Sequence, residues 1–99
     1  MRYEFDWDPR KERTNTRKHH ISFRQAATIF RDPGQLSIYD AEHSYDEDRW
    51  ISIGLDNLGV LRVVIHTFEQ RDVALCRIRI ISARKATSAE EDRYREANP

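Results

Sequence analysis

Arg77 and Arg79 alternate with apolar residues in the segment Cys76-Arg77-Ile78-Arg79-Ile80. In a strand, this spacing puts Cys76, Ile78 and Ile80 on one face and both guanidinium groups on the other. Arg84 and Lys85 follow at the exit of the segment. The apolar segment before it places Arg62, Val64, His66 and Phe68 on one face and Leu61, Val63 and Ile65 on the other. Antiparallel pairing of the two segments would set His66 on the same face as Arg77 and Arg79. Such a face carries positive charge and one imidazole that titrates near neutral pH. It can bind phosphate and stabilise charge that develops as a phosphodiester is cleaved. The ordinary polar face of a half-buried sheet would carry arginine as well.

Other chemistry finds less support. His19, His20, His43, His66 and Cys76 lack the paired spacing that a zinc site needs. Cys76 falls on the apolar side of its segment and reads as core rather than nucleophile. Three scattered glycines cannot form a phosphate-cradling loop. The acidic stretch 40–48 does not follow the calcium-loop spacing. No metal and no cofactor are expected.

Composition bears on the partner. Fourteen of the 17 basic residues are arginine, balanced by 17 acidic residues. Arginine forks bind phosphate bidentately and stack on bases, so the bias leans toward nucleic acid. An arginine-rich surface paired with acids explains it equally well. Residues 36–60 hold one basic and six acidic groups, while the two flanking segments are net basic. The length of 99 residues suits one domain, residues 1–99. No apolar run approaches the 20 or so residues of a membrane span. Acidic residues interrupt Met-Arg-Tyr-Glu-Phe-Asp, so it does not read as a signal peptide. A lone Cys76 fits a reducing cytoplasm.

These side chains need elements to position them. Phe5 and Trp7 alternate with charged residues, as in a short strand. Asp8-Pro9 opens a helix that runs to about Lys18 or His19, with Asp8 as cap and Pro9 at the first helical position. Ser22-Phe23-Arg24-Gln25 reads as a capping box for a second helix. Its stripe is Phe23, Ala26, Ala27 and Phe30, and Asp32-Pro33-Gly34 ends it. Leu36 and Ile38 form a short strand. After residue 50 the period becomes two. Ile51, Ile53 and Leu55 lead to a hairpin turn at Asp56-Asn57-Leu58-Gly59. A strand over 60–68, a turn at 69–72 and a strand over 73–82 complete an antiparallel meander. Thr87-Ser88-Ala89-Glu90 is a capping box for a last helix to about Ala97. The expected fold is α+β, with two N-terminal helices packed on one face of an antiparallel sheet and a C-terminal helix. Its core should contain Phe23, Ala27, Phe30, Ile51, Ile53, Val63, Ile65, Ile78 and Ile80.

Several strings together resemble one family. Phe5-Asp6-Trp7-Asp8-Pro9-Arg10-Lys11, Asn15 and Lys18-His19 resemble the opening of BrnT-family toxins. Phe23, Ala26-Ala27, Phe30 and Asp32-Pro33 resemble their second helix. Arg49-Trp50 through Ile53-Gly54 is similar to their RxxxIG strand. Val63-Val64-Ile65-His66-Thr67 and Arg77-Ile78-Arg79-Ile80-Ile81-Ser82-Ala83-Arg84-Lys85-Ala86 carry the resemblance furthest. Glu90 and Tyr94 fall where the family has a Glu and a Tyr. The family usually has Gly after Lys-His, where a left-handed helix cap is needed. This chain has His20 there.

The resemblance implies a RelE-like fold and a ribonuclease toxin of a type II toxin–antitoxin system that inhibits translation. It implies a hetero-oligomer with a BrnA-type antitoxin bearing a ribbon-helix-helix region, and DNA contact only through that complex. A metal-free ribonuclease must activate the 2′-hydroxyl, stabilise the phosphorane and protonate the leaving oxygen. Arg77, Arg79, Arg84 and Lys85 suit phosphate, and His66 suits acid–base work. Arg49 and Tyr94 are further RNA-binding candidates, with Glu47 and Glu90 beside them. A non-catalytic module that binds RNA or protein, acting as co-repressor with a DNA-binding partner, would use the same basic face.

Overall fold

The structure is a computed structural model, and it describes residues 2–99. Five strands make one sheet: β1 (Arg2–Trp7), β2 (Leu36–Tyr39), β3 (Arg49–Leu55), β4 (Leu61–Gln70) and β5 (Leu75–Lys85). Their spatial order is β1-β5-β4-β3-β2. The meander β2–β3–β4–β5 is antiparallel, but β1 lies parallel to β5. The sheet is therefore mixed, which corrects the expectation of an antiparallel one. The reason is the connection: β1 enters α1 (Pro9–His19), and the chain returns to the far edge before the meander begins. A strand that pairs with the end of a distant segment carries no local sign of its direction.

The local punctuation explains the first helix. The Asp8 side chain accepts from Arg10 N–H at 2.8 Å, and Pro9 opens α1. His20 ends it in the left-handed region, φ 58° and ψ 36°, and its N–H reaches Thr16 O at 2.8 Å. Glycine takes this conformation more readily than histidine. The second helix is shorter than its stripe suggests. α2 is a single turn, Phe23–Ala26, capped by the Ser22 hydroxyl, and the chain tightens into a 3₁₀ segment over Ala27–Arg31. Ile21, Phe23, Ala26 and Ile29 are all buried against the sheet.

Alternation assigns the two faces. Phe5, Trp7, Val64, His66, Ile78, Ile80 and Ala83 face α1 and α2 and build the main core there. Leu36, Ile38, Ile51, Ile53, Val63 and Ile65 share the opposite face. α3 (Ser88–Ala97) crosses one end of that second face, near Leu55 and Leu61. Of the expected core, Phe23, Phe30, Ile53, Val63, Ile78 and Ile80 are buried, while Ala27, Ile51 and Ile65 are only partly so. Deleting a ring as well buried as Phe23 costs about 3–5 kcal/mol.

Two fixed points shape the sheet. Asp56 is buried in the β3–β4 turn, where it accepts from Leu58 N–H, Val60 N–H, Arg62 Nε and Gln25 Nε2. Gly59 supplies the positive φ (79°) that closes this turn. Burial alone would push the Asp56 carboxyl up, but these hydrogen bonds outweigh it and hold it below the usual range. The second point is a bulge in β5. Ile65 pairs with Ser82 and His66 with Ile80, which leaves Ile81 unpaired. Just beyond the end of β1, Asn15 of α1 bonds both backbone groups of Ala83, at 2.8 and 3.1 Å. A side-chain amide thus continues the edge that β1 leaves.

Candidate functional site

The second face of the sheet changes character along its strands. Where α3 lies across it, the residues are apolar apart from Arg84. Beyond Ile51 and Ile65 a polar row crosses four strands: Arg49 on β3, Thr67 on β4, Arg79 on β5 and Asp6 on β1. The next row carries Glu69, Arg77 and Glu4. Sequence alternation put Arg77 and Arg79 on one polar face, and they are there. Arg49 joins them because Arg49 pairs with Thr67 and Thr67 with Arg79.

The charges in these rows are loosely held. Arg79 Nη1 lies 3.9 Å from Asp6 Oδ1, and Arg77 Nη2 lies 3.8 Å from Glu4 Oε1. All four side chains are about half exposed, so each pair adds little stability. Asp6 Oδ1 and Arg49 Nε are nevertheless buried and make no hydrogen bond. A donor and an acceptor left unsatisfied at the ends of one row are unusual in a folded protein. An oxyanion between the Arg49 and Arg79 guanidinium groups would add charge-assisted bonds to this row, and the exposed edge of the Asp6 carboxylate can accept from a hydroxyl. Neither Asp6 nor Thr67 is singled out by sequence spacing, because their placement depends on pairing across strands.

His66 is elsewhere. It leaves the sheet on the face of Ile78 and Ile80, opposite Arg77 and Arg79, and is 3% exposed. This corrects the expected clustering. A turn at 69–72 would set even-numbered β4 residues opposite odd-numbered β5 residues. The turn actually follows Gln70, which pairs with Cys76, and the slip moves the β4 side chains from His66 to Gln70 to the other side relative to β5. The His66 ring meets Phe30 edge-on at 5.0 Å between centroids. Its Nδ1 is 3.1 Å from Thr67 O, and its Nε2 is 2.7 Å from Ser52 Oγ. A carbonyl can only accept, so Nδ1 carries the hydrogen and Nε2 of the neutral ring accepts from Ser52. Ser52 in turn accepts from Ser37, 2.7 Å away. Burial pushes the imidazole below its ordinary value and favours this neutral form.

The remaining candidates spread out. Arg84 holds Glu90 with two hydrogen bonds, 2.7 and 2.9 Å. Glu90 also accepts from Thr87 N–H, and Thr87 Oγ1 accepts from Glu90 N–H, which completes the capping box. The Arg84 fork, with help from Thr87, holds the Glu90 carboxyl down at about 2. The Tyr94 hydroxyl donates to Asp32 Oδ2 at 2.7 Å; burial and this bond push it up to about 12. Gly34 lies under the end of α3, where a Cβ would meet Asn98 Oδ1 at 2.6 Å. Lys85 is exposed at the end of β5, in register with Arg62 rather than with the arginine row. Glu47 is exposed in the 40–48 loop. Among the described residues, no three His, Cys, Asp or Glu side chains gather as a metal site would need, and no helix is long and apolar enough to cross a membrane.

An α+β fold with an arginine row on an open sheet face presents the charge that a phosphodiester needs. The model of the family described as "Ribonuclease toxin, BrnT, of type II toxin-antitoxin system" matches residues 7–90, so the chain belongs to that family. The crystal structure of the Brucella abortus ribonuclease toxin BrnT has the same fold, with a TM-score of 0.63. It is 20% identical in sequence, and the match covers 89% of this chain and all of that one. No curated protein matches the chain. As a ribonuclease toxin of a toxin–antitoxin system, the protein acts on RNA and is paired with an antitoxin.

Proposed function

We propose that residues 1–99 act as a single toxin domain that cleaves RNA without a metal, in a RelE-like manner, on the open face of the sheet. The observation that carries this reading is the row Arg49–Thr67–Arg79–Asp6, with an unsatisfied donor at one end and an unsatisfied acceptor at the other. The scissile phosphate sits between the Arg49 and Arg79 guanidinium groups, with Arg77 beside them. These charges stabilise the phosphorane as it forms. The exposed edge of the Asp6 carboxylate takes the proton from the attacking 2′-hydroxyl, the 2′-oxygen closes on phosphorus to leave a 2′,3′-cyclic phosphate, the departing 5′-oxygen takes its proton from water, and the exposed arginines draw the RNA in. Arg84 and Tyr94 hold α3 across the end of the same face, through Glu90 and Asp32. His66 supports the sheet from behind rather than reaching the phosphate.

The protein works in the cytoplasm, and its partner is a BrnA-type antitoxin with a ribbon-helix-helix region. That antitoxin lays acidic side chains over Arg77 and Arg79, and DNA is met only through the complex. The test is cleavage of RNA by the purified chain in excess EDTA, with and without equimolar antitoxin. Cleavage should persist in EDTA and stop when antitoxin is added. Activity that vanishes with EDTA and returns with a divalent ion refutes the metal-free reading.

A further inference from the structure

Three arginines with no acidic partner gather on the other side of the sheet. A cleft of about 530 Å³ opens between β1 and the α2–3₁₀ segment. Tyr3, Phe5 and Phe30 form its floor, with ring centroids 5.6 to 6.2 Å apart. Tyr3 is 37% exposed. Arg2, Arg24 and Arg31 line the same cleft, all three exposed. Among the described residues no acid lines it, and none of the three arginines is in an ion pair. By contrast, Arg77, Arg79 and Arg84 each face a carboxylate.

We infer that this cleft is a second RNA subsite, which takes one unpaired nucleotide of the strand being cut. Its base stacks on Tyr3 and Phe5, and Arg24 and Arg31 hold the neighbouring phosphates. Aromatic faces ringed by uncompensated arginine are what single-stranded nucleic acid requires, and stacking tolerates any base. A protein partner would need to bring several acids to the same place. The volume suits a nucleotide, within the usual range of ligand sites. The geometry also links the two sites. Tyr3 and Phe5 alternate along edge strand β1 with Glu4 and Asp6, so one strand separates the cleft from the arginine row. RNA bending round the β1 edge would reach both.

The inference rests on the ribonuclease reading for its ligand, and the experiment separates the two. The probe is a short, fluorescein-labelled 2′-O-methyl oligoribonucleotide of mixed sequence, which cannot supply the attacking hydroxyl. The variants are Tyr3→Ala and the double substitution Arg24→Gln with Arg31→Gln, with circular dichroism to confirm folding. Tyr3→Ala should weaken binding at least about fivefold. The double variant should lower the slope of log K against log salt by about 1.4, or 0.7 for each phosphate contact. Both should raise KM for RNA cleavage. Unchanged affinity and KM in folded variants would overturn the cleft and leave the ribonuclease reading intact. Tyr3-dependent binding by a wild-type chain that cuts nothing would uphold the cleft and overturn that reading. Affinity lost for the antitoxin alone would make the cleft a protein-docking surface and sink the inference. Absence of any RNA binding by the wild type would sink it too.

Discussion

His66 and Arg79 stand back to back in the sheet: Thr67, the next residue after His66, is the register partner of Arg79, so the two side chains leave opposite faces. The pair therefore cannot meet on one phosphate, and each answers to a different experiment.

Arg79 is exposed, and its nearest carboxylate is 3.9 Å away, so replacing it should change stability by less than about 1 kcal/mol. Loss of one donor to a developing oxyanion typically costs about 10²–10³ in rate. Arg79→Ala should therefore fold normally and cleave RNA at least about a hundredfold more slowly. Arg79→Lys keeps the charge without the fork and should recover only part of the rate. Asp6→Asn should lower kcat with little change in KM. Cleavage assays on purified variants decide both points, and wild-type rates in both would empty this face of catalytic meaning.

His66 should show itself in stability. In the unfolded chain the imidazole titrates near 6.5, and burial in the fold pushes it lower. As pH falls, the unfolded state takes up the proton first. The neutral ring's contribution is complete above about 6.5 and is lost as the pH drops toward the folded value. The wild-type Tm should therefore fall between pH 7 and pH 5. His66→Gln should flatten that fall and lower Tm at pH 7 by several degrees, since about 1–3 kcal/mol of buried hydrogen bonding is disturbed. Thermal melts at a series of pH values test this. An equally steep fall in the variant would assign the effect to other groups.

Tyr94 offers a sharper choice between anchoring and substrate contact. Its hydroxyl is committed to Asp32, and burial plus that bond raise it to about 12. Tyr94→Phe should destabilise the protein by about 1–2 kcal/mol, because the bond is to a charged group. RNA cleavage should stay within about threefold of wild type. A hundredfold loss of rate with unchanged stability would return Tyr94 to the substrate.

His20 occupies a left-handed position, φ 58°, that costs a side chain more than it costs glycine. His20→Gly should stabilise the fold by up to about 1 kcal/mol, or a few degrees in Tm. Denaturant melts measure it, and a loss of stability would mean that the His20 side chain makes compensating contacts.

What the sequence reveals here is local. Asp8-Pro9, Thr87 with Glu90, and Asp56 with Gly59 act within a few residues, and each marks its turn or helix end as the spacing suggests. The alternation of Arg77 and Arg79 with Ile78 and Ile80 likewise names the faces of β5. The phase between strands is not local. Gln70 opposite Cys76, the bulge at Ile81, and the parallel seat of β1 against β5 are settled by packing across the sheet. For that reason spacing names neither Asp6 nor Thr67 as part of the row, and it sets His66 on the wrong side of β5. The α2 stripe was readable, but its tightening into 3₁₀ at Ala27 was not.

The parallel pairing of β1 with β5 also sets an order of events. Residues 2–7 have their partners at 75–80, so closing that ladder means tying a loop of about seventy residues. Hairpins β3–β4 and β4–β5 join near neighbours and can form early. During synthesis, β1 emerges long before the strand that receives it. Asp6 thus cannot come beside Arg79 until translation has passed the end of β5. The arginine row therefore acquires its acid only once β5 is in place to receive β1.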